Sequence, residues 1–134
     1  MEYLEIKSED SVGVKIIDEQ HRNIADVVNQ MHQSILKLDK KQSVKNLIEL
    51  LELLENHFET EESMMKGSGF PGYISHKLEH DRFYRQILTA TDNYKKGNES
   101  FGLEQLKGIK RWFFNHIEIN DKKCGKFFVE KGIN

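Results

Sequence analysis

Two pairs of residues set four positions apart could do metal chemistry: His57 with Glu61, and His76 with His80. In an α-helix that spacing stacks side chains on one face. An imidazole above a carboxylate, or above a second imidazole, makes a natural chelate for a transition metal. His21 and His116 stand alone, yet each extends an apolar series at helical spacing. His21 leads into Ile24 and Val28, and His116 follows Leu106, Ile109 and Phe113. A buried histidine without a partner costs free energy, and an ionised Glu61 beside it costs more. One such histidine would be an ordinary core residue bonded to a neighbour; five of them, with two stacked pairs, ask for a metal. Asp121, five residues after His116, offers a second carboxylate. Five residues is not same-face spacing in a regular helix, so Asp121 is expected just past a helix end, its carboxylate turned back under the fold.

The elements that must position these residues are four helices. Apolar residues at steps of three and four predict helices over about Asp18–Leu38, Val44–Met65, Tyr73–Lys96 and Phe101–Ile119. The expected inward residues include Met31 and Leu38 on the first, Leu50 and Leu54 on the second, Phe83 and Ile87 on the third, and Leu103 and Leu106 on the fourth. Ser43 is a candidate N-cap, and the run from Gly67 to Gly72 is a firm stop. Short connections force antiparallel neighbours, so the expected fold is all-α: an up-down-up-down antiparallel four-helix bundle. An irregular N-terminal arm (1–17) and a short C-terminal tail (120–134), with a short helix at Lys126–Glu130, complete a single expected domain. In that topology His21 starts one helix, His57 and Glu61 end the next, His76 and His80 start the third and His116 ends the fourth. All of them therefore converge on one end of the bundle. His32 lies eleven residues beyond His21, about 16 Å along a helix, and is assigned to the surface or bundle edge.

Counting ligands suggests how many ions are held. Five nitrogens and two carboxylates exceed a four-ligand structural zinc site and also a single octahedral shell. Two octahedral ions offer twelve positions. Five histidines, two bridging carboxylates and one bridging oxide or hydroxide fill eleven and leave one open for a ligand. Imidazole with carboxylate suits iron, then manganese, while residue type alone leaves copper and zinc pairs open.

Composition narrows the remaining choices. The net charge of −2 offers no footprint for nucleic acid or an anionic membrane, and no apolar run reaches membrane-spanning length. The N-terminus has no signal-peptide pattern, and the single cysteine, Cys124, excludes an internal disulfide. These absences point to a cytoplasmic setting. Cys124 is expected to be an inert packed thiol, and Trp112 a packing residue.

The chain resembles the hemerythrin family, in its bacterial single-domain form, over about residues 11–124. The matching segments are Ser11–Val14 with Ile17–His21, His57–Glu62, Phe70-Pro71 with His76, His80 and Phe83, and Trp112–Ile117 with Asp121–Lys123. The chain departs from the family where Tyr3 is the only N-terminal aromatic and where Cys124 falls at a common tyrosine position. The resemblance implies that His76, His80 and His116 complete one iron, that His21 and His57 hold the other, and that Glu61 and Asp121 bridge them. Dioxygen would bind at the open iron. Ile24, Phe58, Phe113 and Ile117 would line a dry pocket around it. The function expected is reversible dioxygen binding for transport, storage or delivery, without catalysis. The alternatives are an oxygen or redox sensor acting through a partner, a diiron enzyme handling peroxide, nitric oxide or an organic substrate, and a metal-free helical interaction module. The absence of any Glu-x-x-His, the pairing used by carboxylate-rich diiron enzymes, favours binding over turnover.

Overall fold

The computed structural model describes residues 2–134, and every regular element among them is helical. Four long helices, α1 (Lys15–Leu36), α2 (Lys40–Ser68), α3 (Tyr73–Lys95) and α4 (Leu103–Asn115), form an antiparallel bundle; a further helix, α5, covers Lys122–Glu130. The core is where periodicity places it. Ile24, Val28 and Met31 of α1 meet Leu47, Leu50 and Leu54 of α2 and Leu106, Ile109 and Phe113 of α4, all buried. Each contributes on the order of 1.5–3 kcal/mol by leaving water. No helix among the described residues is long and apolar enough to cross a membrane.

Two expected inward residues are not inward. Leu38 lies past the end of α1 with φ 55° and is 91% exposed, because the helix has already stopped at Leu36. Leu103 is 46% exposed because it is the first residue of α4, and Phe101, just before the helix, is buried in its place. The cap of α2 also differs from expectation. Asp39 accepts a hydrogen bond from the Gln42 backbone N–H at 3.0 Å, so α2 begins earlier than the apolar pattern suggests. Ser43 is instead inside the helix, buried, with its hydroxyl 2.8 Å from that of Ser34, a polar tie between α1 and α2. Gly69, at φ 73°, ends α2 in the left-handed region.

The largest departure concerns the segment after α4. Rather than ending near Ile119 and turning away, the chain continues through a π-helical segment, His116–Asp121, directly into α5. No glycine or proline falls within His116–Asp121, so nothing stops the helix there. A π turn closes i to i+5, and it therefore places residues five apart on one face. Asp121 reaches the interior by that route and not by a chain reversal.

The N-terminal arm is irregular but not loose. Leu4 is fully buried, and its backbone N–H and C=O are both bound by the Asn29 side chain, at 2.7 and 2.9 Å. Tyr3 stacks on His32 with ring centroids 4.2 Å apart, which occupies the histidine assigned to the bundle edge. Ser11 Oγ and the Val12 N–H both donate to Asp18, at 2.6 and 2.8 Å. The arm then crosses α5 so closely that a Cβ at Gly125 would run into the Val12 carbonyl oxygen. That contact helps seat the end of the chain carrying Asp121.

Candidate metal centre

Five of the six histidines turn inward at the same end of the bundle, and His32 of α1 does not. α1 brings His21, α2 brings His57 and Glu61, α3 brings His76 and His80, and the start of the π segment brings His116. With Asp121 these seven side chains are 0–5% exposed. They form two groups joined at one residue. Glu61, His76, His80, His116 and Asp121 turn their ligand atoms to one point, and His21, His57 and Asp121 to another, each group within 4.8 Å. Glu61 also reaches the second group, with Oε1 2.8 Å from His57 Nε2. Both carboxylates therefore stand between the two sets of imidazoles.

All five rings present Nε2 to the carboxylates. His21 lies 2.7 Å and His116 2.9 Å from Asp121, His80 lies 3.7 Å from Glu61, and His76 lies 3.5 Å from Asp121. Two imidazole nitrogens, His80 Nε2 and His116 Nε2, face each other at 3.2 Å. His57 Nε2, His76 Nε2, both oxygens of Glu61 and Oδ1 of Asp121 are buried without a partner in hydrogen-bond geometry, although His57 Nε2 lies 2.8 Å from Glu61 Oε1 and Asp121 Oδ1 lies 2.9 Å from His116 Nε2. Buried polar atoms are nearly always paired, so five orphans converging on one space mark the place of something that binds them. Nitrogen and carboxylate donors without a thiolate at the focus fit a first-row transition metal of the iron type.

Four of the five opposite nitrogens, Nδ1, meet residues that sequence reasoning did not single out as site residues. Gln20 Oε1 is 2.9 Å from His57 Nδ1, while its amide nitrogen donates to Thr60. Glu62 Oε2 is 2.9 Å from His80 Nδ1, the Asn120 amide lies 3.3 Å from His116 Nδ1, and Cys124 Sγ lies 3.5 Å from His76 Nδ1. Gln20 and Glu62 are sequence neighbours of His21 and Glu61, which is the only signal that could have found them. Burial pushes the Cys124 thiol up, so it stays protonated against His76.

The four residues expected around the site are all buried. Phe58 stacks on His80 with centroids 4.0 Å apart and an interplanar angle of 9°, and Phe113 meets His21 edge-on at 5.5 Å. Ile24 and Ile117 are 1% and 0% exposed. Trp112 lies parallel between Phe83 and His116, at 3.7 and 4.5 Å, and so packs directly on a site histidine.

The electrostatics of the metal-free cluster follow from this crowding. Burial disfavours the charged form of His57 and of His116. The Glu61 and Asp121 carboxylates more than offset it, raising His57 to about 9 and His116 to about 10. Burial and the neighbouring His116 and His76 depress His80 to about 2. Asp121 is held well below the usual carboxylate range, its own desolvation overcome chiefly by His116. Stability from His57 and His116 is thus fully present below the unfolded value near 6.5 and is lost as pH rises through about 9 and 10. His80 acts the other way: below about 6.5 the unfolded chain takes a proton that the folded chain refuses. The metal-stripped protein is therefore expected to melt highest near pH 6–7 and to lose stability steadily toward pH 10. Thermal melts in chelator across that range check this, and a flat profile would contradict it.

A buried cluster of imidazoles and carboxylates at the end of a four-helix bundle defines a cation-binding helical protein. The chain belongs to the hemerythrin HHE cation-binding domain family, whose sequence model matches residues 12–126. It is 34% identical over 110 residues to the bacteriohemerythrin of Aquifex aeolicus, covering 79% of this chain and 82% of that one. It is 27% identical over 118 residues to the bacteriohemerythrin of Methylococcus capsulatus, with 88% and 90% covered. A crystal structure of wild-type hemerythrin superposes with a TM-score of 0.89 at 25% identity, over 92% of this chain and 96% of that one. Family and cluster together support a non-haem iron site.

Proposed function

We propose that His21, His57, Glu61, His76, His80, His116 and Asp121 hold two iron ions, and that the protein binds dioxygen reversibly there. The observation that carries this reading is the pair of ligand groups sharing Asp121, with Glu61 reaching both. Three histidines serve one group and two the other, so equal shells would leave the vacancy in the two-histidine group. When bound, a ferrous pair with an oxide or hydroxide bridge supplies dioxygen with an open position and two electrons. The chain's own residues bind, orient and exclude water. Glu61 and Asp121 set the spacing between the two groups, and the Nδ1 partners fix ring orientation. Phe58, Phe113, Ile24 and Ile117 keep the surroundings apolar, which slows proton delivery and oxidative loss.

A carrier is favoured over an enzyme acting on an organic substrate because the seven side chains are nearly sealed from solvent. The test is to reduce the iron-loaded protein without air, admit air, and remove it again. The expected result is a visible absorption band that appears and disappears over repeated cycles, with two irons per chain by metal analysis. A band that collapses at once to the ferric spectrum would favour a scavenger or an enzyme.

A further inference from the structure

The four known Nδ1 partners are chemically unequal. His57 meets an amide oxygen, His116 an amide nitrogen and His76 a thiol; of the four, only His80 meets a carboxylate, that of Glu62 at 2.9 Å. We propose that Glu62, outside the seven, is the positioning residue that locks His80 for metal binding and makes it a stronger electron donor than His57, His76 or His116. This rests on the two-iron reading above.

The geometry leaves His80 one useful tautomer. Its Nδ1 points to Glu62 and its Nε2 points into the cluster, 3.7 Å from Glu61 Oε1 and 3.2 Å from His116 Nε2. A carboxylate accepts and cannot donate when ionised, so Nδ1 must carry the proton and Nε2 must present its lone pair. Phe58 stacked on the ring face stops the imidazole from tilting away. Glu62 is itself held. Lys77 Nζ lies 3.8 Å from its second oxygen and also binds Asp81 at 2.9 Å, which anchors the carboxylate across the α2–α3 groove. A charged acceptor makes an imidazole a more basic ligand than an amide or a thiol does, and outer-shell carboxylates of this kind are worth ~10–100-fold in metal affinity.

The consequence is directional. Glu62 strengthens the three-histidine group, and it favours the ferric over the ferrous state because a better donor stabilises the higher charge. Glu62→Gln keeps size and an acceptor oxygen but removes the charge; Glu62→Ala removes both.

The test titrates ferrous iron, without air, into the metal-free wild type and both variants against a competing chelator, and measures reduction potentials on the iron-loaded forms. Circular-dichroism melts of the metal-free chains control for folding. The expected result is two ferrous ions on the wild type and one of them weakened ~10–100-fold in Glu62→Ala, less in Glu62→Gln. The potential should rise in both variants, by ~59 mV for each tenfold loss confined to the ferric form. Two ions held at wild-type affinity and potential by Glu62→Gln and Glu62→Ala would overturn the role of Glu62 and leave the two-iron reading standing. A wild type that binds no iron would overturn both. Equal weakening of both ions with an unmoved potential would assign Glu62 a packing role and overturn the inference.

Discussion

Asp121→Ala is expected to abolish the metal centre outright, with a larger loss of iron than any other single change. Asp121 belongs to both groups of converging ligand atoms, whereas Glu61 belongs to one and reaches the other only through His57. Removing it takes an oxygen from each, so the deficit should exceed the ~10–100-fold typical of outer-shell substitutions. The same change should weaken the metal-free chain. His116 and His57 are held in their charged forms largely by Asp121 and Glu61. Without Asp121 they are left in a buried site with half of their counter-charge, and breaking a buried pair in this way costs about 3–5 kcal/mol near neutral pH. Asp121→Asn keeps the shape and separates charge from packing: it should lose iron nearly as completely while losing less stability to steric change. Metal analysis after anaerobic loading, with thermal melts of the stripped proteins, checks both parts. Full retention of two irons by Asp121→Ala would remove the basis for a shared carboxylate.

Phe58→Ala should have the second-largest effect, and through solvent access instead of ligation. The ring covers His80, meets Trp112 edge-on at 5.9 Å, and at the same time lines the α2–α3 groove with Glu55, Glu59, Glu62 and Leu88. It is thus a wall between solvent and the cluster. Truncation removes a large buried ring and costs about 3–5 kcal/mol. The cavity it opens borders polar groups, so water can occupy it. The expected outcome is a protein that still holds iron but loses its ferrous state in far fewer air cycles than the wild type, with Phe58→Leu intermediate. Unchanged cycling by Phe58→Ala would show that the ring packs without protecting.

The inward stripes were legible because a helix converts spacing directly into direction. His57 with Glu61 and His76 with His80 could be placed on one face from numbers alone, and antiparallel topology then brings both to His21 and His116. Asp121 was legible as a carboxylate at the right distance, but not in how it arrives. A π turn depends on one residue of excess being absorbed within a continuous helix, and no composition marks it. The Nδ1 partners were hidden for a different reason. Gln20 reaches His57 from another helix, and Glu62 reaches His80 likewise, so neither pairing follows from any single helix's period. The arm carries no period at all; its order comes from Asn29 binding the backbone of Leu4 and from the bare Cα of Gly125, contacts that exist only once the bundle is formed.

Whether these seven side chains hold two iron ions is open to direct measurement. The most direct measurement is a crystal structure of the protein loaded with ferrous iron without air, with diffraction recorded on either side of the iron absorption edge. Two anomalous peaks per chain are expected, one among His76, His80 and His116 and the other beside His21 and His57, with Glu61 and Asp121 touching both. A single peak, or two peaks of which one lies away from these residues, would contradict the two-iron reading.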